Sequence, residues 1–112
     1  MSKALNVAVC QINPTLGNFQ KNIDIISKNY KYAVENGADL VVFPEMSITG
    51  YPPQDLLNNK EFISQNISCL NELSKSITIP CILGYVDFED NKKFNAAAVC
   101  QDGEIVYKYH KI

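Results

Sequence analysis

The sequence predicts an α/β fold with a mixed sheet and helices on one face. Three observations carry this. Short apolar runs rich in β-branched residues are separated by two long segments with helical apolar periodicity. The first of these segments joins two runs through short connections, which makes a βαβ unit with a parallel strand pair and a right-handed crossover. Near the C-terminal end, Asp102-Gly103 signals a tight antiparallel hairpin.

The elements follow in order. Leu5 to Ile12 alternates weakly and reads as the first strand, and Asn13-Pro14-Thr15-Leu16-Gly17 ends it with turn chemistry. A helix is predicted from Asn18 to Asn36. Ile23, Ile26, Tyr30, Ala33 and Val34 share one face of it, and Gly37 stands where a left-handed cap belongs. Leu40 to Phe43 is continuously apolar and reads as a strand buried on both faces. Pro44 lacks an N–H for a sheet ladder and stops it.

After Pro53, Gln54 to Leu57 is a short helical turn, and a second long helix spans Lys60 to Ser76. Cys81 to Val86 is the third strand, Asp87 to Lys93 a polar turn, and Phe94 to Cys100 the fourth strand. Its Ala96-Ala97-Ala98 run implies close packing against another layer. Glu104 to Lys111 returns as the fifth strand. Strict alternation puts Ile105, Tyr107, Tyr109 and Lys111 on one face and Val106, Lys108 and His110 on the other.

Composition excludes several classes. The 112 residues are 46% hydrophobic and 20% charged, enough for a core, with a net charge of −2 and a pI near 5.3. No basic patch points to nucleic acid. All 10 basic residues are lysines, so the chain itself offers no bidentate arginine clamp. No run has the length of a membrane span, and the N-terminus lacks the pattern of a signal peptide. Cys10, Cys69, Cys81 and Cys100 are scattered without a CxxC pair, which argues against zinc and a disulfide framework and for the cytoplasm.

Glu45 is the first candidate for chemistry. Ligands of open α/β sheets bind outside the carboxyl ends of the strands, and Glu45 follows one such end. Buried among apolar groups, it would be tuned toward a general base. The plain alternative is a loop carboxylate capping a backbone amide. Lys111 is the second candidate, a cation able to face a developing oxyanion or simply a solvated side chain at a strand end. His110 is the only histidine. A Cys–His dyad is conceivable, but no spacing selects its cysteine. The cysteines lie in strands or near a helix face and read as small buried hydrophobes.

Phe43-Pro44-Glu45 after an apolar strand resembles the nitrilase, or carbon–nitrogen hydrolase, superfamily. Three runs resemble more narrowly the glutaminase domain of glutamine-dependent NAD synthetases. They are Gln11-Ile12-Asn13-Pro14-Thr15-Leu16-Gly17-Asn18, the stretch Pro44 to Leu57 with its Thr49-Gly50-Tyr51-Pro52-Pro53 core, and Phe94-Asn95-Ala96-Ala97-Ala98-Val99 followed by Gly103-Glu104-Ile105 and Tyr109-His110-Lys111. The resemblance implies part of an α-β-β-α layered sandwich and a Glu–Lys–Cys triad. Glu45 matches its general base and Lys111 its lysine. None of the four cysteines matches its nucleophile, which lies downstream of the lysine in that family. Tyr51 falls in a loop near the family's glutamine pocket and is a weaker, substrate-binding candidate.

The implied reaction is glutamine hydrolysis to glutamate and ammonia through a thioester, without a metal. The ammonia would serve amidation of deamido-NAD by an ATP-dependent synthetase domain, in a parent enzyme that is a homo-oligomer. Two long helices cover five predicted strands, and the chain ends at Ile112 directly after a strand. It therefore reads as the N-terminal portion of one carbon–nitrogen hydrolase domain, inactive alone, with apolar sheet surface open to association. The alternatives are a portion of another nitrilase-superfamily amidase or nitrile hydrolase, and a non-catalytic binding module.

Overall fold

A computed structural model describes residues 4–52 and 54–111. Pro53 of the proline pair and position 112 lie outside the described residues. The described elements are β1 (Val7–Val9), α1 (Phe19–Glu35), β2 (Leu40–Val42), α2 (Gln54–Leu57), α3 (Lys60–Lys75), β3 (Cys81–Glu89), β4 (Lys92–Gln101) and β5 (Glu104–His110). The strands form one mixed sheet in the order β1-β2-β3-β4-β5. β1, β2 and β3 pair in parallel, and β3-β4 and β4-β5 pair antiparallel. β2, β3 and β5 therefore run the same way, and their carboxyl ends share one end of the sheet. No helix is long and apolar enough to cross a membrane among the described residues.

The two long helices start where their caps dictate. The Asn18 side chain accepts from the Lys21 N–H at the start of α1, and the Asn59 side chain accepts from the Phe62 N–H at the start of α3. α1 ends at Asn36, and Gly37 follows at φ +84°, the left-handed geometry that glycine adopts without a Cβ penalty. The buried stripe of α1 (Ile26, Tyr30, Ala33) and that of α3 (Leu70, Leu73) pack on one face of the sheet. That face is built by Val41, Cys81, Leu83, Tyr85, Ala96, Ala98 and Cys100, all nearly inaccessible. The small alanines admit the helices closely.

The opposite face carries Val7, Val9, Val42, Ile82, Val99, Tyr107 and Tyr109 by register. Val7, Val9, Tyr107 and Tyr109 are exposed. β2 is thus buried on one face only: Val41 is covered, while Leu40 and Val42 are half-buried. An apolar run does not reveal by itself that one of its two sides lacks a partner layer.

Three other expectations change. β1 is shorter than Leu5 to Ile12. The β3-β4 hairpin extends to Glu89 and Lys92, so Asp87 to Lys93 is not a loop; the turn is at Asp90 and Asn91, both with positive φ. Asp87 is held in the strand because its carboxylate finds His110 across the sheet. Finally, β5 does not alternate strictly. Cys100 pairs with Ile105 and Val99 with Tyr107, so Val106 is an extra residue in a bulge. The bulge sends Ile105 to the helix side, where it packs on the core, and leaves Tyr107, Tyr109 and Lys111 together on the open face.

Candidate active site

Glu45 stands on the loop between β2 and α2, and this loop is tied down on three sides. β3 extends beyond the end of β2, and its exposed edge is satisfied in steps. The Phe43 N–H donates to the Ile82 carbonyl at 2.9 Å. Two residues on, Ser47 Oγ accepts from the Gly84 N–H at 3.1 Å and donates to the Gly84 carbonyl at 3.2 Å. Two further on, the buried Asn66 of α3 takes the Val86 N–H at 3.0 Å and donates to the Val86 carbonyl. The loop thus replaces the missing neighbour strand at Gly84.

The other ties run to the N-terminal half. Asn22, fully buried in α1, accepts from the Thr15 N–H and donates to the carbonyls of Thr15 and Ile48. The Gly17 N–H donates to the Thr49 carbonyl at 3.0 Å. Ser47, Ile48 and Thr49 are wholly buried as a result. Met46 takes φ +50°, an uncommon conformation for a residue with a Cβ, beside the glutamate.

Glu45 and Lys111 meet. The Lys111 ammonium contacts Glu45 Oε1, and the side chains are 47% and 42% exposed for lysine and glutamate respectively. Asn95 Nδ2 donates to Glu45 Oε2 at 3.1 Å. The Lys111 N–H donates to the Asn95 carbonyl at 2.8 Å, which continues the β4-β5 register one step beyond Ala96 and His110. Asn95 and Lys111 lie on the face away from the helices. The carboxylate therefore sits at the carboxyl end of the parallel strands, half open, with one donor on each oxygen. It is not sealed among apolar groups, as tuning by burial would have required.

The remaining candidates are elsewhere. Tyr51 is 68% exposed and makes no hydrogen bond to Glu45 or Lys111. His110 faces the helix side, stacked on Phe94 with ring centroids 4.1 Å apart and bonded to Asp87 at 2.7 Å. No cysteine partners it. Glu89 lies 3.6 Å from the same ring nitrogen, so Asp87, Glu89 and His110 form a charged cluster separate from Glu45. The four thiols are free. Burial pushes all of them up, Cys100 to about 11, and Glu72 adds to this at Cys69. Cys81 and Cys100 face each other across β3 and β4 inside the core. None is in an environment that favours thiolate.

Asp87 gives a pH dependence. Burial pushes its carboxyl up, but His110, the Phe88 N–H and Lys108 outweigh this and hold it below the usual 3.8. A depressed carboxyl contributes stability above its unfolded value, and that contribution disappears as pH falls through the folded value. Thermal denaturation should show the folded chain losing stability below about pH 4. The Asp87→Asn variant should lie lower at neutral pH and show a flatter acid decline. Parallel acid declines in the two proteins would refute the assignment.

Sequence reasoning did not single out Asn22, Ser47, Gly84 or the side chain of Asn95. Two of these had a signal. Gly84 interrupts an otherwise apolar strand, a mark of close backbone approach. Asn95 is a polar residue between Phe94 and three alanines in a buried strand.

Residues 6–112 match the family model described as carbon-nitrogen hydrolase. The glutamine-dependent NAD(+) synthetase of Thermotoga maritima is 38% identical over 98% of this chain and 19% of its own length. That of Acinetobacter baylyi is 31% identical over 97% of this chain and 20% of its own. The chain thus spans about a fifth of the length of these curated relatives. Among solved structures, the glutamine-dependent NAD+ synthetase of Acinetobacter baumannii in complex with ADP superposes with a TM-score of 0.89 at 31% identity, over 98% of this chain and 21% of that one. An amidase from Nesterenkonia sp. shares the fold, with a TM-score of 0.80 at 22% identity over 96% of this chain and 43% of that one.

Proposed function

The chain belongs to the carbon–nitrogen hydrolase family, and from that premise we propose that it carries the general base and the oxyanion lysine of a glutamine-hydrolysing site. The single observation behind this reading is the Glu45–Lys111 contact at the carboxyl end of the sheet, with Asn95 on the second carboxylate oxygen. The relatives named as glutamine-dependent NAD(+) synthetases supply the substrate class.

In this reading the thiol comes from sequence outside these 112 residues, since Cys81 and Cys100 lie in the helix-side core and Cys10 and Cys69 pack against it, away from the Glu45–Lys111 face. Glu45 takes the thiol proton, and the sulfur attacks the side-chain amide carbon of glutamine. The Lys111 ammonium faces the oxyanion that forms. Collapse breaks the C–N bond, and the proton held by Glu45 leaves with ammonia. Glu45 then takes a proton from water, which attacks the thioester, and the thiol recovers that proton as glutamate departs. No step needs a metal. The ammonia would amidate deamido-NAD in an ATP-dependent synthetase domain of a cytoplasmic, homo-oligomeric enzyme. Tyr51, on the exposed loop, would line the glutamine entrance.

The test is ammonia release from glutamine by the product of the complete reading frame, measured with and without ATP and deamido-NAD. Glutamate and ammonia in equal amounts support the reading. Turnover of short aliphatic amides or nitriles in preference to glutamine would assign the site to another amidase of the family. A folded product that hydrolyses no amide would leave a binding module.

A further inference from the structure

We infer that Asn95 is the positioning residue of the Glu45–Lys111 pair. Its side-chain amide fixes how the carboxylate is turned, and its main chain fixes where Lys111 starts. The inference depends on the glutaminase reading only for the reaction by which it is measured.

Three asparagines that turn amide atoms inward separate into two kinds, two of them buried and Asn95 half-buried. Asn22 and Asn66 use both the oxygen and the nitrogen of the amide on backbone groups, and each joins two segments of the scaffold. Every polar atom is matched, as expected of asparagines that hold a fold. Asn95 differs. Its Nδ2 bonds the Glu45 carboxylate at 3.1 Å, while its Oδ1 is buried without a partner. An amide oxygen left desolvated and unpaired costs stability, so its bond to Glu45, and not the fold, is what this side chain serves.

The location explains the arrangement. A carboxylate only accepts hydrogen bonds, so the amide must turn its NH2 toward Glu45. A carboxylic acid donates. When Glu45 holds the proton taken from a thiol, the other end of the same amide, now idle, can accept from it after a turn about the side-chain axis. Asn95 can therefore serve Glu45 in both protonation states, which a serine could do only at shorter reach and an aspartate or alanine not at all. The Lys111 N–H on the Asn95 carbonyl, at 2.8 Å, ties the second member of the pair to the same residue. One strand position thus sets the base and the cation together.

The experiment has two arms. In the product of the complete reading frame, Asn95→Ala should lower kcat for glutamine by about tenfold or more, the size of one charge-assisted hydrogen bond, with KM little changed. In a Glu45→Gln background the same substitution should add nothing, because the group it positions is gone. Asn95→Ser should recover part of the loss. In the 112-residue chain, zero-length carbodiimide coupling should join Glu45 to Lys111, read by peptide mass spectrometry, and Asn95→Ala should cut that yield several-fold. Equal coupling in the two chains, or an unchanged kcat, would overturn the inference, as would a further loss in the Glu45→Gln background. If the unaltered protein releases no ammonia from glutamine, the glutaminase reading fails and the coupling arm still decides the role of Asn95. Circular dichroism of each variant separates misfolding from mispositioning, and Asn95→Ser carries the coupling arm if Asn95→Ala does not fold.

Discussion

Glu45→Gln should reduce ammonia release by about 10²–10⁴-fold in the protein that carries the complete site, the usual contribution of general acid–base catalysis. The substitution is isosteric but not neutral in hydrogen bonding. The carboxylate accepts from Lys111 on one oxygen and from Asn95 on the other. Glutamine offers one acceptor oxygen and one NH2, so it can keep the Lys111 contact only with its NH2 toward Asn95, and the Asn95 amide must then turn its Oδ1 to meet it. The variant therefore loses the base and forces Asn95 to change its hydrogen bond. Because glutamine binding does not require the proton transfer, the loss should appear in kcat, with KM close to its original value. Lys111→Ala should cost about 10²–10³-fold, the usual effect of removing one oxyanion donor. The double variant should be little worse than Glu45→Gln alone, since the two residues act as a unit. Steady-state ammonia assays on the three variants decide this. Equal and additive losses would mean that the two side chains act independently, and retained activity in Glu45→Gln would remove Glu45 from the chemistry.

Much of this site could be read from the chain before its structure was known. Pro44 ends a buried strand and leaves the next side chain at the sheet end, so Glu45 follows from backbone chemistry alone. Lys111 was placed on the correct face, but partly by a wrong route. Simple alternation put Ile105 beside it, whereas the Val106 bulge shifts the count and separates the two. A bulge is a two-strand property and has no marker within one strand. The restraints on the loop were invisible for a related reason. Asn22, Ser47 and Asn66 each bond a backbone group 20 or more residues away. Periodicity reports local exposure, and the partners of a buried polar side chain depend on where distant segments arrive. The one-sided cover of the sheet was anticipated by counting helices against strands, yet β2 was read as buried on both faces and is covered on one only, because an apolar run looks the same whether or not a second layer meets it.

The same restraints make Gly84→Ala the most disruptive small change. A Cβ on Gly84 would lie 2.4 Å from the Pro44 carbonyl oxygen, 2.5 Å from the Met46 nitrogen and 2.8 Å from the Glu45 carbonyl carbon. All three are backbone atoms, so no side chain can swing aside. Gly84 has no positive φ, so alanine suits its conformation, and the clash alone decides. Either β3 or the Glu45 loop must move, and the loop is held at Ser47 and Ile48 by Gly84 itself. Overpacking of this kind costs typically about 1–3 kcal/mol, and the fixed backbone places this case at about 3. The melting temperature should fall by about 10 °C or more. Gly37→Ala is the comparison. It meets nothing within 4 Å but must adopt φ +84°, a conformational cost of about 1 kcal/mol. If space near the base is what matters, Gly84→Ala should also lose activity out of proportion to its stability. A displacement of about 1 Å at Glu45 is enough for a loss on the order of 10²-fold, whereas Gly37→Ala should remain active at temperatures where it is folded. Thermal melts and ammonia assays below both transitions would test the pair, and equal activities would show that the Gly84 strand and the Glu45 loop adjust without moving the carboxylate.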